Sequence, residues 1–150
     1  MGEPLCIDDG LCVASQPERQ QFAELRDGGF RTVINLRVDN EEDGMLRPFD
    51  EGDLVREAGM EYMNLPVSMK QLRPEQVDEF CHAVESLEGP ILVHCKSGKR
   101  AAAFAAACAA RRHGWSSSQT LDELQKRGIT LEDSPLRAFI ANYIDQHGGA

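Results

Sequence analysis

The stretch Val93-His94-Cys95-Lys96-Ser97-Gly98-Lys99-Arg100-Ala101 places a thiol, a hydroxyl, a glycine and three cations within six consecutive positions, Cys95 to Arg100. Ile91 to Cys95 (ILVHC) is a short apolar run that reads as a buried strand, and Ala101 to His113 reads as a helix. A loop between such elements turns its backbone N–H groups inward and makes a nest for an anion. The helix N-terminus adds positive partial charge at the same place, and that field stabilises a thiolate. Cys95 is therefore the candidate nucleophile and Arg100 the candidate oxyanion clamp, because a guanidinium presents a bidentate fork. Lys96, Ser97, Gly98 and Lys99 are the candidate substrate-binding residues: two charges, a hydroxyl donor, and a glycine that permits a backbone shape a Cβ would obstruct. The competing reading is a small buried thiol followed by a solvated Lys-Ser-Gly-Lys turn. His94 either orients the loop from beneath or is a satisfied core histidine. Arg37 follows another strand and either lines the same pocket or is a surface charge.

The elements that must hold this loop can be read along the chain. Leu5 to Ile7 and Leu11 to Ala14 are short strands around an Asp8-Asp9-Gly10 turn. Ser15-Gln16-Pro17 reads as a helix start, with Phe22 and Leu25 on its apolar face and a stop at Gly28-Gly29. Arg31 to Arg37 is a strand, Asp39 to Gly44 an acidic loop, and Pro48 to about Gly59 a helix. Glu61 to Val67 is a strand, and Pro74 opens a helix carrying Val77, Phe80, Cys81 and Val84. After the Cys95 loop and its helix come helices over Ser117 to Arg127 and Pro135 to His147, with Gly128 and Gly148 as stops. Strands alternating with helices imply an α/β fold: a central, mainly parallel sheet of four to five strands flanked by helices, in one domain spanning 1–150. In such sheets ligands bind beyond the carboxyl ends of the strands, which is where Cys95 falls.

Composition narrows the function. The chain has 150 residues and a formal charge of −9, from 25 acids against 16 lysines and arginines. A chain this acidic repels polyanions, which argues against nucleic-acid binding, so any anion must be drawn in by a local basic pocket. The five cysteines, at positions 6, 12, 81, 95 and 108, show no zinc-ligand spacing and read as free thiols of a cytoplasmic, reducing compartment. No apolar run is long enough for a signal peptide or a membrane span. No metal or organic cofactor is expected, since the loop supplies its own positive charge.

His94-Cys95 to Arg100 resembles the active loop of cysteine-dependent phosphatases and of rhodanese-type sulfurtransferases. Together with Ser15-Gln16-Pro17, Phe30 to Arg37 followed by Asp39, and Glu61 to Val67, it resembles a bacterial phosphatase-like family. That domain occurs alone or fused to β-lactamase-like sulfur dioxygenases and has the dual-specificity protein tyrosine phosphatase fold. The resemblance runs from about residue 4 to about residue 128. It implies that Cys95 attacks a phosphate monoester to form a cysteinyl-phosphate, that the loop amides and Arg100 hold the equatorial oxygens, and that a carboxylic acid protonates the leaving group. The substrate would be a small phosphorylated or sulfur-containing anion, or a phosphoprotein.

Three departures keep alternatives open. Four residues separate Cys95 from Arg100, where the larger superfamily has five. Ser68 stands where the family often carries an Asp, leaving Asp39, Glu41, Glu42 and Asp43 as candidate acids against a solvated-turn reading. Ala101 replaces the hydroxyl residue that usually follows the arginine. The second expectation is therefore a sulfurtransferase carrying a persulfide on Cys95, which needs no general acid. The third is a non-catalytic anion-binding or redox-sensing module.

Overall fold

The computed structural model describes residues 2–39, 41 and 44–147. Glu42, Asp43 and the expected stop at Gly148 lie outside the described residues. Five strands, β1 (Leu5–Asp8), β2 (Leu11–Ala14), β3 (Thr32–Asn35), β4 (Glu61–Asn64) and β5 (Ile91–His94), form one sheet in the order β1-β2-β5-β3-β4. All neighbours are parallel except the β1–β2 hairpin. The α/β expectation, with a mainly parallel sheet flanked by helices, is met.

The register explains where chemistry can occur. Ala14 pairs with His94, His94 with Asn35, and Asn35 with Asn64. Four parallel strands thus end in a single row, and the four segments leaving that row converge on the same edge. Strand β5 lies between β2 and β3 and is buried along its whole length, which is why it carries no alternation of polar residues.

Side chains alternate between two cores. Ile34, Ile91 and Val93 point to a large core under α3 (Pro74–Ser86), α4 (Lys99–His113), α5 (Ser117–Lys126) and α6 (Pro135–His147). Val33 and Leu92 point to a smaller core built with Phe22 and Leu25 of α1 (Gln21–Asp27) and Val55 of α2 (Pro48–Glu57). Helix α4 is buried at every position from Ala101 to Ala110 and packs against β1, β2, β5, α3, α5 and α6. Eight of those ten residues are alanine. Only so small a side chain lets one helix be approached from all sides, and a helix apolar all round belongs inside a domain.

Three expectations are corrected. Ser15-Gln16-Pro17 does not start a helix; α1 begins at Gln21. Gln16 instead donates its backbone N–H to the Lys96 carbonyl at 3.0 Å, so this segment is held as a wall of the Cys95 loop. Helix α4 starts at Lys99 rather than Ala101, which brings Lys99 and Arg100 into its first turn. Cys6 and Cys12 are not free thiols: they face each other across the β1–β2 hairpin and are joined as a disulfide. Their spacing shows this only once the hairpin register is known, and the pair removes the free-thiol argument for a reducing, cytoplasmic compartment. Cys81, Cys95 and Cys108 are free and buried. Among the described residues no helix is long and apolar enough to cross a membrane.

Candidate active site

Cys95 is the first residue after β5 and is fully buried. Its Sγ accepts the Gly98 N–H at 3.1 Å, a bond that folds the loop back over the sulfur. Gly98 is the N-cap of α4, with φ 96° and ψ −12°. A Cβ there would meet nothing nearer than 3.5 Å, so the left-handed backbone rather than lack of space calls for glycine. Lys96, Ser97 and Lys99 are exposed around the loop.

Arg100 reaches back across the loop from the first turn of α4. Nη1 and Nη2 donate to Glu41 Oε1 and Oε2, each at 2.7 Å, in a bidentate fork, and Nη1 also donates to the Val67 carbonyl at 2.9 Å. Burial opposes the Arg100 charge, yet the Glu41 bonds and the facing Cys95 sulfur outweigh it and raise the pKa of the guanidinium. Burial likewise opposes the Glu41 charge. The bonds from Arg100 and the Val38 N–H and the charges of Arg100 and Arg37 outweigh it, holding the carboxyl below its usual range. Glu41 therefore occupies the fork that an oxyanion would use.

A buried polar network supports the loop from below. His94 Nε2 lies 2.6 Å from Glu51 Oε2, and His94 Nδ1 lies 3.2 Å from the Cys95 carbonyl. Both ring nitrogens of His94 thus lie within hydrogen-bond distance of an oxygen, one from α2 and one from the loop itself. Glu51 Oε1 accepts from Gln16 Nε2 at 2.7 Å, and Gln16 Oε1 accepts from Arg37 Nη1 at 2.7 Å. Arg37, 1% exposed, also donates from Nη1 to the Leu46 carbonyl at 2.6 Å, and its Nε stands 3.8 Å from Glu41. Asn64 Nδ2 donates to the carbonyls of Asn35 and Arg37 at 2.8 and 3.0 Å, tying the end of β4 to the segment after β3.

The sequence-expected residues thus divide. Cys95, Gly98 and Arg100 come together with Lys96, Ser97 and Lys99 around them. His94 and Arg37 are both buried, hydrogen-bonded within the network beneath the loop, so Arg37 is not a surface charge. Asp39, a candidate acid, forms a bidentate pair with Arg47 at 3.0 and 2.7 Å, half exposed. Ser68 caps its own turn by accepting the Lys70 N–H at 3.1 Å. Glu51 and the Gln16 side chain were not foreseen. The signal for Glu51 is its helical phase: Pro48, Glu51, Gly52 and Val55 form the buried stripe of α2, so this acid sits on the apolar face. A cavity of about 880 Å³ opens between α3 and the segment after β4; its lining includes Val67 but neither Cys95 nor Arg100, so its size is no guide to the chemistry. Among the described residues no group of three or more His, Cys, Asp or Glu side chains is arranged to hold a metal ion.

Comparison with known proteins is consistent with this geometry. The family model for the phosphatase-like domain of beta-lactamase hydrolase-like proteins matches residues 5–120. Beta-lactamase hydrolase-like proteins of Xylella fastidiosa and Agrobacterium fabrum are each 36% identical over 95 residues, 63% of this chain. The match spans only 22% of the length of those relatives. A candidate phosphatase from Shewanella putrefaciens CN-32 superposes with a TM-score of 0.78 at 28% identity, covering 97% of this chain and 90% of that one. TpbA of P. aeruginosa, a Cys-to-Ser variant in complex with pTyr, superposes with a TM-score of 0.70 at 21% identity, covering 91% and 83%.

Proposed function

The chain belongs to the family of the phosphatase-like domain of beta-lactamase hydrolase-like proteins, and we propose that it hydrolyses phosphate monoesters through a cysteinyl-phosphate on Cys95. The observation that supports this best is the buried Cys95 sulfur at a strand end, held by the Gly98 N–H, with the Arg100 guanidinium near enough to interact with it. In the first step the sulfur attacks phosphorus, the S–P bond forms, and the P–O bond to the leaving group breaks as that oxygen takes a proton. In the second, water attacks the same phosphorus, the S–P bond breaks, inorganic phosphate leaves, and Cys95 returns as thiolate. Loop amides and Arg100 hold the equatorial oxygens, where charge builds up in the transition state. Lys96 and Lys99 raise the local potential in an otherwise acidic protein, and Ser97 contributes a further donor. His94 and Arg37 act beneath the loop as positioning residues. An aryl phosphate such as phosphotyrosine, free or on a protein, is the substrate class that TpbA suggests by its pTyr complex.

The test is hydrolysis of an aryl phosphate by wild type, Cys95→Ser and Arg100→Ala. Cys95→Ser should abolish turnover, and full activity in that variant would sink the assignment. Arg100→Ala should lower kcat by about 10²–10³-fold, the cost of one oxyanion donor.

A second reading, sulfur transfer, is favoured by Ala101 after the arginine and by the four-residue spacing. Cys95 would take the outer sulfur of a sulfane donor as a persulfide, releasing the rest of the donor as an anion, and pass that sulfur to a thiol. No turnover of aryl phosphates, with a persulfide on Cys95 after exposure to thiosulfate, would replace the first reading by this one.

A further inference from the structure

We propose that Glu41 is the proton donor of the reaction and that the substrate itself unlocks it by displacing it from Arg100. The inference rests on the phosphatase reading and assigns the acid that Ser68 and Asp39 do not supply. Glu41 is the only carboxylate among the described residues that is paired with Arg100, and it fills both arms of the fork. A phosphoryl group bound over Cys95 needs the same two N–H groups, so it and Glu41 cannot both be seated. When the phosphoryl oxygens take the fork, Glu41 moves to their edge, where the ester oxygen must lie if the sulfur attacks from the opposite side.

The groups facing Glu41 then change sign in effect. Arg100, from α4, now serves the substrate. Where Glu41 is seated, Arg37 Nε, after β3, stands 3.8 Å from it and the Val38 N–H donates to it at 3.2 Å, and leaving the fork draws the carboxyl away from both. Asp39, on the same loop, is matched by Arg47. The phosphoryl group adds negative charge next to a carboxyl whose side chain is 19% exposed. Burial and that repulsion both favour the protonated acid. The balance of the step follows. On leaving Arg100 the Glu41 carboxylate takes up a proton from solvent, and as S–P forms and P–O breaks that proton goes to the leaving oxygen. The Glu41 carboxylate then takes a proton from the attacking water as S–P breaks, and the acid form is restored. When phosphate leaves, Glu41 gives up that proton and returns to Arg100.

The experiment compares wild type and Glu41→Gln on phenyl phosphate, whose leaving group needs a proton, and 2,4-dinitrophenyl phosphate, whose leaving group does not. For Glu41→Gln, kcat/KM on phenyl phosphate, which reports only through departure of the leaving group, should fall by about 10²–10⁴-fold, the usual contribution of a general acid. On the dinitrophenyl ester kcat/KM should change little, and on phenyl phosphate the alkaline limb of its pH profile should disappear. Inorganic phosphate should inhibit the variant more tightly than wild type, because its competitor has gone. Glu41→Asp should recover part of the phenyl phosphate activity. Equal losses on both esters, or unchanged or higher activity on phenyl phosphate, would overturn the assignment while leaving the phosphatase reading intact. Phosphate binding no tighter in the variant would overturn the displacement. Wild type that turns over neither ester would overturn both readings together.

Discussion

At the scale of residues, the site is built from one local cluster and several distant contributions, and the difference governs what the sequence can reveal. Cys95, Gly98 and Arg100 lie within one turn of chain, so their spacing alone suggests an anion loop. Gln16, Glu51 and Glu41 arrive from far away: the Gln16–Glu51 bond spans 35 residues, the His94–Glu51 contact 43 and the Arg100–Glu41 fork 59. No spacing rule links such positions. Glu51 also resembles its acidic neighbours in composition and is set apart only by helical phase. Asp39 and Glu41 are two residues apart in the same acidic loop, yet one pairs with the half-exposed Arg47 and the other with Arg100 beside the Cys95 loop. The buried network yields a prediction of its own. Glu51→Gln replaces the acceptor at His94 Nε2 by an amide and disturbs the bond to Gln16. It should lower stability by roughly 1–3 kcal/mol, the cost of a buried polar group left poorly satisfied, read by urea denaturation. It should also slow alkylation of Cys95 by iodoacetamide, because the loop loses its support. A variant as stable and as reactive as wild type would mean that the loop holds its shape without the pair.

At the scale of elements, strands and helices were legible in kind and order, and their ends were not. The expected strands run longer than those formed: Arg31 to Arg37 contains β3 at Thr32–Asn35, and Glu61 to Val67 contains β4 at Glu61–Asn64. The surplus residues are the ones that make the site. After the row of strand ends, backbone groups leave the ladder and turn to the loop: Leu36 N–H bonds to the His94 carbonyl and Val67 N–H to the Leu36 carbonyl, each at 2.9 Å. Apolar character persists through Leu36 and Val67 because both are core residues, so composition gives no sign that pairing has stopped. Helix α4 shows the opposite case, since its alanines announce close packing in advance. Ala106→Leu should therefore cost about 1–3 kcal/mol by overpacking, with loss of activity as α4 shifts the Cys95 loop at its N-terminus. The check is denaturation together with phosphate-ester turnover; a neutral result would show that the packing around α4 has slack.

At the scale of the whole molecule, the parallel, two-sided character of the sheet was implied by alternation of element types, whereas the strand order β1-β2-β5-β3-β4 was not. That order depends on which strand is most completely apolar and so takes the middle, and on a hairpin whose register is set by tertiary contact. The same hairpin hides the Cys6–Cys12 disulfide from any reading of cysteine spacing. The molecule's charge is likewise uneven: a chain of −9 gathers Lys96, Lys99 and Arg100 at one loop. Two of these, Lys99 and Arg100, occupy the first turn of α4, which carries no acidic residue, and so stand against the positive end of the helix. The consequence is thermodynamic. Glu41 compensates Arg100 in the unliganded fold, and any anion that binds the folded loop adds its binding free energy to the folded state. The protein should thus report its own ligands through its melting temperature. An anion at a hundred times its Kd adds about 2.7 kcal/mol to the folded state by linkage. A panel of phosphorylated and sulfur-containing anions ranked by the rise in Tm of the Cys95→Ser protein would order substrates by affinity before any product is measured.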